Sequence, residues 1–331
     1  MEYAAQLAML VKAVPAGDAW LHEPKYDGYR IGCLVEPSGV RLVSRRGNDW
    51  TASFPEIAAA ARGLGACALD GEIAALDAHG RTSFQRLQNA FGAGARPRLV
   101  YFVFDLLSLA GEDLTRLPLE DRKALLEGLL APRPTGAILY TPHAIGDGAA
   151  VFAAACRAGL EGIVSKRRDA RYVPGRGPSW VKTKCVLRQE LVICGVTDRA
   201  GSNGQEVGAL VLGWHDGGAL VYAGKVGTGL TQQASRDLRR RLRALEQPRC
   251  PFPRPPTGFV GRDVHWARPE LVCEVSFTEL TAGGHLRHPS FAGLRLDKRA
   301  RDVVRERPID LPAVRAAEAP HCARGNGAAP P

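Results

Sequence analysis

Membrane-length apolar runs are missing from this chain of 331 residues. No stretch approaches the roughly 20 apolar residues that a helix needs to cross a bilayer. Met1-Glu2-Tyr3-Ala4-Ala5-Gln6 lacks a basic segment followed by an apolar core, so no secretory leader is read and a cytoplasmic protein is expected. Eight cysteines, at 33, 67, 156, 185, 194, 250, 273 and 322, include no Cys-x-x-Cys pair and have no histidine at zinc-finger spacing, which argues against a structural zinc. Cys194 and Cys273 close the apolar runs Leu191-Val192-Ile193-Cys194 and Leu271-Val272-Cys273, where a thiol serves as a small hydrophobe. Reduced cysteines in a reducing cytosol are the expectation. No internal repeat is visible.

Acidic residues are the minority charge: 34 Asp and Glu stand against 44 Lys and Arg, a formal net charge of +10. Such an excess gathers polyanions and makes nucleic acid the first candidate partner, although arginine on solvated faces from a GC-rich coding bias is the plainer alternative. A hydrophobic fraction of 45% with 24% charged residues excludes wholesale disorder and a fibrous chain. The length suits two domains, each able to bury its own core.

The first half mixes strands with helices. Arg30-Ile31-Gly32-Cys33-Leu34-Val35 and Val40-Arg41-Leu42-Val43-Ser44, separated by Glu36-Pro37-Ser38-Gly39, predict a hairpin. Phe84, Leu87 and Phe91 after Ser83, and Leu125, Leu126, Leu129 and Leu130 after Pro118, have helical spacing. Leu99 to Leu107, interrupted only by Asp105, predicts a strand buried on both faces. Val151 to Leu160 predicts a helix feeding a strand over Gly162 to Ser165. Past about residue 187 the pattern turns to strands at Glu190 to Val196, Ala209 to Trp214, Ala219 to Lys225 and Leu271 to Leu280, with a basic helix at Gln232 to Leu245. That is the pattern of an OB-type barrel. The fold class expected is α+β, with domains over 1–187 and 188–307 and a flexible tail over 308–331.

Glu23-Pro24-Lys25-Tyr26-Asp27-Gly28-Tyr29-Arg30 contains Lys-x-Asp-Gly-x-Arg. A lysine becomes nucleophilic only when deprotonated, which burial beside cations or a metal promotes, and Arg30 is a candidate for that cation. Alone, the segment also reads as a turn with solvated basic ends. Five further motifs follow in order: Ser44-Arg45-Arg46-Gly47, Leu69-Asp70-Gly71-Glu72-Ile73, Phe102-Val103-Phe104-Asp105, Glu161-Gly162-Ile163-Val164-Ser165-Lys166 and Trp180-Val181-Lys182-Thr183-Lys184. On a strand, Lys182 and Lys184 would point to one side.

With these motifs the chain resembles the covalent nucleotidyltransferases, which comprise DNA ligases, RNA ligases and mRNA capping enzymes. Its narrower likeness is to the ligase module of bacterial non-homologous end-joining ligases, carried by Trp20-Leu21-His22-Glu23, Arg46-Gly47-Asn48-Asp49-Trp50, Ser83-Phe84-Gln85-Arg86-Leu87-Gln88-Asn89, Arg268-Pro269-Glu270-Leu271 and Leu286-Arg287-His288-Pro289-Ser290-Phe291. It covers roughly residues 6 to 306. The resemblance implies a nucleotidyltransferase domain followed by an OB-fold. It implies that Lys25 attacks the α-phosphorus of ATP and carries AMP as a phosphoramidate. AMP then passes to the 5′-phosphate of a nick, and the 3′-hydroxyl displaces it.

By the same resemblance Lys25, Asp27, Arg30, Lys182 and Lys184 serve the chemistry, with the two downstream lysines gripping the α-phosphate. Glu72 and Glu161 hold Mg²⁺ or Mn²⁺, Arg45 and Arg30 bind ribose or phosphate, Phe104 stacks on adenine, and Glu23 reads adenine. Arg295-Leu296-Asp297-Lys298 resembles the family's last motif, in which Arg295, Asp297 and Lys298 orient pyrophosphate. Leu296 departs from the usual glutamate. The expected partners are nicked or broken duplex DNA, a Ku-type end-binding protein, and separate polymerase or end-processing enzymes, for whose attached counterparts the chain leaves no room. A monomer is expected, with no membrane association. An RNA ligase, a capping enzyme using GTP, and a non-catalytic DNA-end-binding module are the alternatives. The basic surface predicts that affinity for nicked duplex falls steeply between about 50 and 200 mM salt as counterions are released; fluorescence anisotropy checks this, and a flat dependence would remove that surface from the function.

Overall fold

A computed structural model of the chain describes residues 2–77, 80, 82, 84–90, 97–131, 136–256, 263–281 and 283–309. Strands β1 (Gln6–Leu10), β2 (Gly17–Pro24), β3 (Tyr29–Glu36) and β4 (Gly39–Ser44) lead to α1 (Pro55–Ala61), β5 (Cys67–Ala75), α2 (Phe84–Asn89), β6 (Leu99–Leu109) and β7 (Glu112–Asp113). Then come α3 (Leu119–Leu130), β8 (Ile138–Tyr140), β9 (Ala144–Gly146), α4 (Gly148–Arg157), β10 (Gly162–Arg167) and β11 (Gly175–Lys184). The remainder holds β12 (Leu187–Asp198), β13 (Val207–Asp216), β14 (Ala219–Val226), α5 (Gln232–Arg243), β15 (His265–Trp266), β16 (Val272–Phe277), β17 (Glu279–Leu280), β18 (Leu286–Arg287) and β19 (Ser290–Leu294).

Two sheets build the first unit, in the orders β1-β11-β10-β2-β9 and β4-β3-β5-β6-β7, with β8 added to β6. The third sheet, β14-β13-β12-β16-β19 with β15 on β12, forms the OB-fold. The predicted hairpin forms with Val35 opposite Val40. The run around Asp105 is buried on both faces, as an interior strand requires. Helix α4 starts at Gly148, ahead of the predicted Val151, because the Asp147 carboxylate accepts the Ala150 N–H and caps it. Helix α5 is capped likewise by Thr231 and buries Leu238 and Leu242, four residues apart, against β12 and β13. Ser83 and Phe91 of the α2 pattern lie outside the described residues.

Two expectations are corrected. Cys156, in the last turn of α4, and Cys185, between β11 and β12, form a disulfide with Cα atoms 5.3 Å apart. The Cys185 N–H donates to the Glu161 carbonyl, which holds Cys185 beside the turn leaving α4. A sequence separation of 29 gave no hint of it. Cys33, Cys67, Cys194 and Cys273 are free and buried, as small hydrophobes should be. Within the tail expected from Pro308, Ile309 is held: it donates to the Leu10 carbonyl and accepts from the Lys12 N–H. Residues 310–331 lie outside those described.

Helix α3 is where a polar pattern misleads, because Arg122 and Lys123 both point inward and are buried. Arg122 meets Asp105 through two contacts of 2.8 Å and also donates to the Leu117 and Ala170 carbonyls. Removing one member of a buried pair strands the other's charge, so Arg122→Ala should cost roughly 3–5 kcal/mol. The exposed Leu125→Ala on the same helix should cost under about 0.5 kcal/mol; denaturant unfolding compares the two, and equal losses would contradict the assignment.

Candidate active site

Strand pairing gathers the motifs. Val164 of β10 lies opposite Glu23 of β2 on one side and Lys182 of β11 on the other. Gly162 pairs with Lys184, and the Lys25 N–H donates to the Gly162 carbonyl at 3.0 Å. In the second sheet Arg30 pairs with Glu72, which pairs with Phe102. Gly28 lets the two sheets meet, since a Cβ there would run into the Ile73 carbonyl and approach Glu72 at 3.1 Å. Gly162 serves similarly, with a φ of 153° and no space for a Cβ against the Thr183 carbonyl.

One cleft results, lined by Glu23, Lys25, Asp27, Arg30, Arg45, Glu72, Phe104, Glu161, Lys182, Lys184, Arg295, Asp297 and Lys298. Every residue singled out from sequence reaches it. Their partners refine several expectations. Lys25 Nζ donates to Glu161 at 2.5 Å. Burial works against the Lys25 ammonium, but Glu161 and then Glu72 outweigh it and hold its pKa above the ordinary lysine range. The expectation of an amine held uncharged is therefore corrected while both carboxylates face it as anions. Burial pushes the Glu72 carboxyl up to about 7.

Arg30, the candidate cation, is already paired. Its guanidinium makes a bidentate pair with Asp70, at 2.8 and 2.6 Å, and lies 4.7 Å from the Phe104 ring centroid. Tyr3 and Tyr172 also donate to Asp70, at 2.8 and 2.7 Å. Asp27 is tied to Arg188 of β12 at 2.5 Å, a contact between the two units. Glu23 is buried between Lys123 and Lys166, each at 2.6 Å. Burial lowers the Lys166 ammonium to about 8 against the pull of Glu23. Arg45 is exposed at the rim.

From the OB-fold, Arg295 pairs with Asp297 through two contacts of 2.9 Å and lies 4.6 Å from the centroid of Phe84. Lys298 pairs with Glu190 at 2.8 Å. Leu296, at the position where the family pattern carries glutamate, is 54% exposed, so that departure faces away from the charges. Lys182 and Lys184 do share a face, and both meet Glu306, at 2.5 and 2.9 Å. The sequence reading missed Lys123, Arg188, Glu190, Glu274 and Glu306, none of which stands in a motif. Lys166 was quoted within a motif but given no role.

Among the described residues no group of three or more His, Cys, Asp or Glu is arranged to hold a metal. Glu72 and Glu161 offer two hard carboxylates facing one amine. Carboxylate oxygens are the hard donors that would suit a divalent cation such as Mg²⁺ or Mn²⁺.

The model for "ATP dependent DNA ligase domain" matches residues 3–184, and that for "ATP dependent DNA ligase C terminal region" matches 203–298. The multifunctional non-homologous end joining protein LigD of Pseudomonas aeruginosa is 42% identical over 319 residues, covering 95% of this chain and 38% of that protein. Its Mycobacterium tuberculosis counterpart is 40% identical over 291 residues, covering 87% and 37%. The chain thus spans less than two fifths of the length of these relatives. A solved structure of mycobacterial DNA ligase D complexed with ATP and MES is 38% identical, with a TM-score of 0.70 over 92% of this chain and 98% of that one. The chain belongs to the ATP-dependent DNA ligase family.

Proposed function

We propose that this chain seals 5′-phosphate/3′-hydroxyl nicks in duplex DNA through AMP carried on Lys25, in double-strand break repair by end joining. The observation carrying the reading is a single cleft in which Lys25 faces Glu72 and Glu161, two lysines stand on the adjacent strand, and Arg295, Asp297 and Lys298 arrive from the OB-fold. A cleft used only to bind DNA ends would have no need of a buried amine set against two carboxylates. The bacterial cytosol is the proposed location, and among the described residues no helix is long and apolar enough to cross a membrane. Broken duplex DNA, a Ku-type end-binding protein and separate polymerase or end-processing enzymes are the partners this role would require.

In the first step the Lys25 Nζ lone pair forms the bond to the α-phosphorus of ATP while the bond to pyrophosphate breaks. A 5′-phosphate oxygen of the nick then displaces Lys25, and the 3′-hydroxyl finally displaces AMP. Lys25 must lose its proton first, and the negative charges of Glu161 and Glu72 oppose that loss. Glu72 and Glu161 would hold a divalent cation, Mg²⁺ or Mn²⁺, whose charge would offset their opposition to that loss. Lys182 and Lys184 present paired positive charge to the phosphate, and burial brings the Lys182 ammonium down to about 8. Arg30, locked by Asp70, acts as a fixed wall beside Phe104 rather than as a mobile clamp.

Incubation with labelled ATP or GTP tests the reading. ATP should leave a covalent label that survives alkali and is released by acid, as a phosphoramidate must be, and GTP should not; Lys25→Ala should lose at least about 10³-fold in labelling and nick sealing while remaining folded by circular dichroism. A Lys25→Ala protein that still takes up AMP refutes the assignment. Protonated Glu72 cannot ligate a metal, and its folded pKa lies above the ordinary carboxylate value, so protons compete at unusually high pH. The Mg²⁺ concentration for half-maximal adenylation should therefore climb toward about tenfold per pH unit below about 7. A half-saturation independent of pH between about 5.5 and 8 would contradict that role.

A further inference from the structure

Residues 303–309 cross from the OB-fold to the first unit. At the near end the His215 N–H donates to the Val303 carbonyl. Gln189 then grips the segment with both ends of its amide, donating to the Val304 carbonyl at 3.0 Å and accepting the Glu306 N–H at 2.9 Å. At the far end Ile309 joins the β1 edge through Leu10 and Lys12. Between these anchors the Glu306 carboxylate spans Lys182 and Lys184 with one oxygen on each ammonium. These are the lysines to which the proposed function gives the nucleotide phosphate. Two largely buried ammonium groups on neighbouring positions of one strand need a counter-anion. Burial opposes a carboxylate there, yet the two lysines hold Glu306 well below the usual carboxyl range.

We propose, resting on the ligase reading, that Glu306 is an internal competitor for the nucleotide phosphate, and that residues 303–309 form a strap released when phosphate takes its place on Lys182 and Lys184. Both oxygens of Glu306 are committed to these two amines, so a phosphate meeting the same amines displaces the carboxylate instead of sharing them. The exchange leaves Gln189, the exposed Arg307–Asp216 pair and Ile309 as the described polar anchors between residue 305 and residue 309. It thereby ties occupancy of the nucleotide site to the hold of one unit on the other. Before exchange the strap lowers apparent ATP affinity by the fraction of time that it occupies the lysines.

The test compares the full chain with Glu306→Gln, which keeps the shape and loses the charge, and Glu306→Asp, which keeps the charge. If Glu306 competes, Glu306→Gln lowers the ATP concentration for half-maximal adenylation by at least about fivefold, and Glu306→Asp stays nearer the parent. A merely structural latch gives the opposite sign, because weakening it raises the ATP requirement. An unchanged or raised requirement in Glu306→Gln overturns the proposal while wild-type labelling leaves the ligase reading standing. Hydrogen exchange on residues 303–309 with inorganic tripolyphosphate needs no chemistry, so it decides the matter even if no label forms. Expected is lost protection in the wild type on adding tripolyphosphate and protection already reduced in Glu306→Gln. Protection unaltered by tripolyphosphate in the wild type overturns the exchange.

Discussion

Buried charge that must be paired is the constraint on which this molecule depends. The cleft gathers lysines and arginines from the turn after β2, from β3, β10, β11 and the OB-fold, and nearly every one of them meets a carboxylate. Asp70 holds Arg30, Glu23 holds Lys123 and Lys166, Glu161 holds Lys25, and Glu306 spans Lys182 and Lys184. Such pairs contribute little net stability, since desolvation offsets most of their attraction, but losing one partner is costly. They fix where each charge sits. A site for transferring a nucleotide needs that fixity more than it needs extra stability, because in-line displacement at phosphorus depends on position and on charge already in place.

The pairs divide into a framework and a working set. Arg122–Asp105 is enclosed by protein and holds helix to sheet, while Arg30–Asp70 joins two strands of one sheet at the cleft wall through a fully buried carboxylate whose coordination Tyr3 and Tyr172 complete. Lys25–Glu161 and Lys182–Glu306–Lys184 open onto the cleft, where a phosphate or a divalent cation can take over one partner. Asp27–Arg188 and Arg46–Asp302, at 2.5 and 3.2 Å, cross between the units, so the OB-fold is held to the cleft by charge as well as by Arg295 on Phe84. Exchange of partners within the working set is how the molecule can change state while the framework stays put.

Much of this was legible in the residues. Alternation gave the β3–β4 hairpin, apolar continuity gave β6, a basic stretch between strands gave α5, and the ordered motifs drew the cleft-lining residues from many separate elements. What stayed hidden was long-range. Lys123 looks like the solvated face of an amphipathic helix until α3 packs it against Glu23, 100 residues away. The pairing of Arg30 with Asp70 could not be read because Asp70 lies on the neighbouring strand at a register that only the fold sets. Cys156 and Cys185 carry no spacing signal, and Glu306 sits in an Arg-Glu-Arg run that resembles any polar terminus. Charge state was the other gap: motif logic requires a neutral Lys25 at the moment of attack, whereas its resting neighbours favour the ammonium.

The central claim is that the amine at position 25 becomes covalently joined to the innermost phosphorus of ATP. Tandem mass spectrometry of the protein after ATP and Mg²⁺ treatment, digested under conditions that spare phosphoramidates, reads this directly. The predicted result is an AMP adduct on the peptide containing Lys25 that disappears when pyrophosphate is added back. An adduct on any other side chain, or none under conditions where ATP is demonstrably bound, contradicts the account.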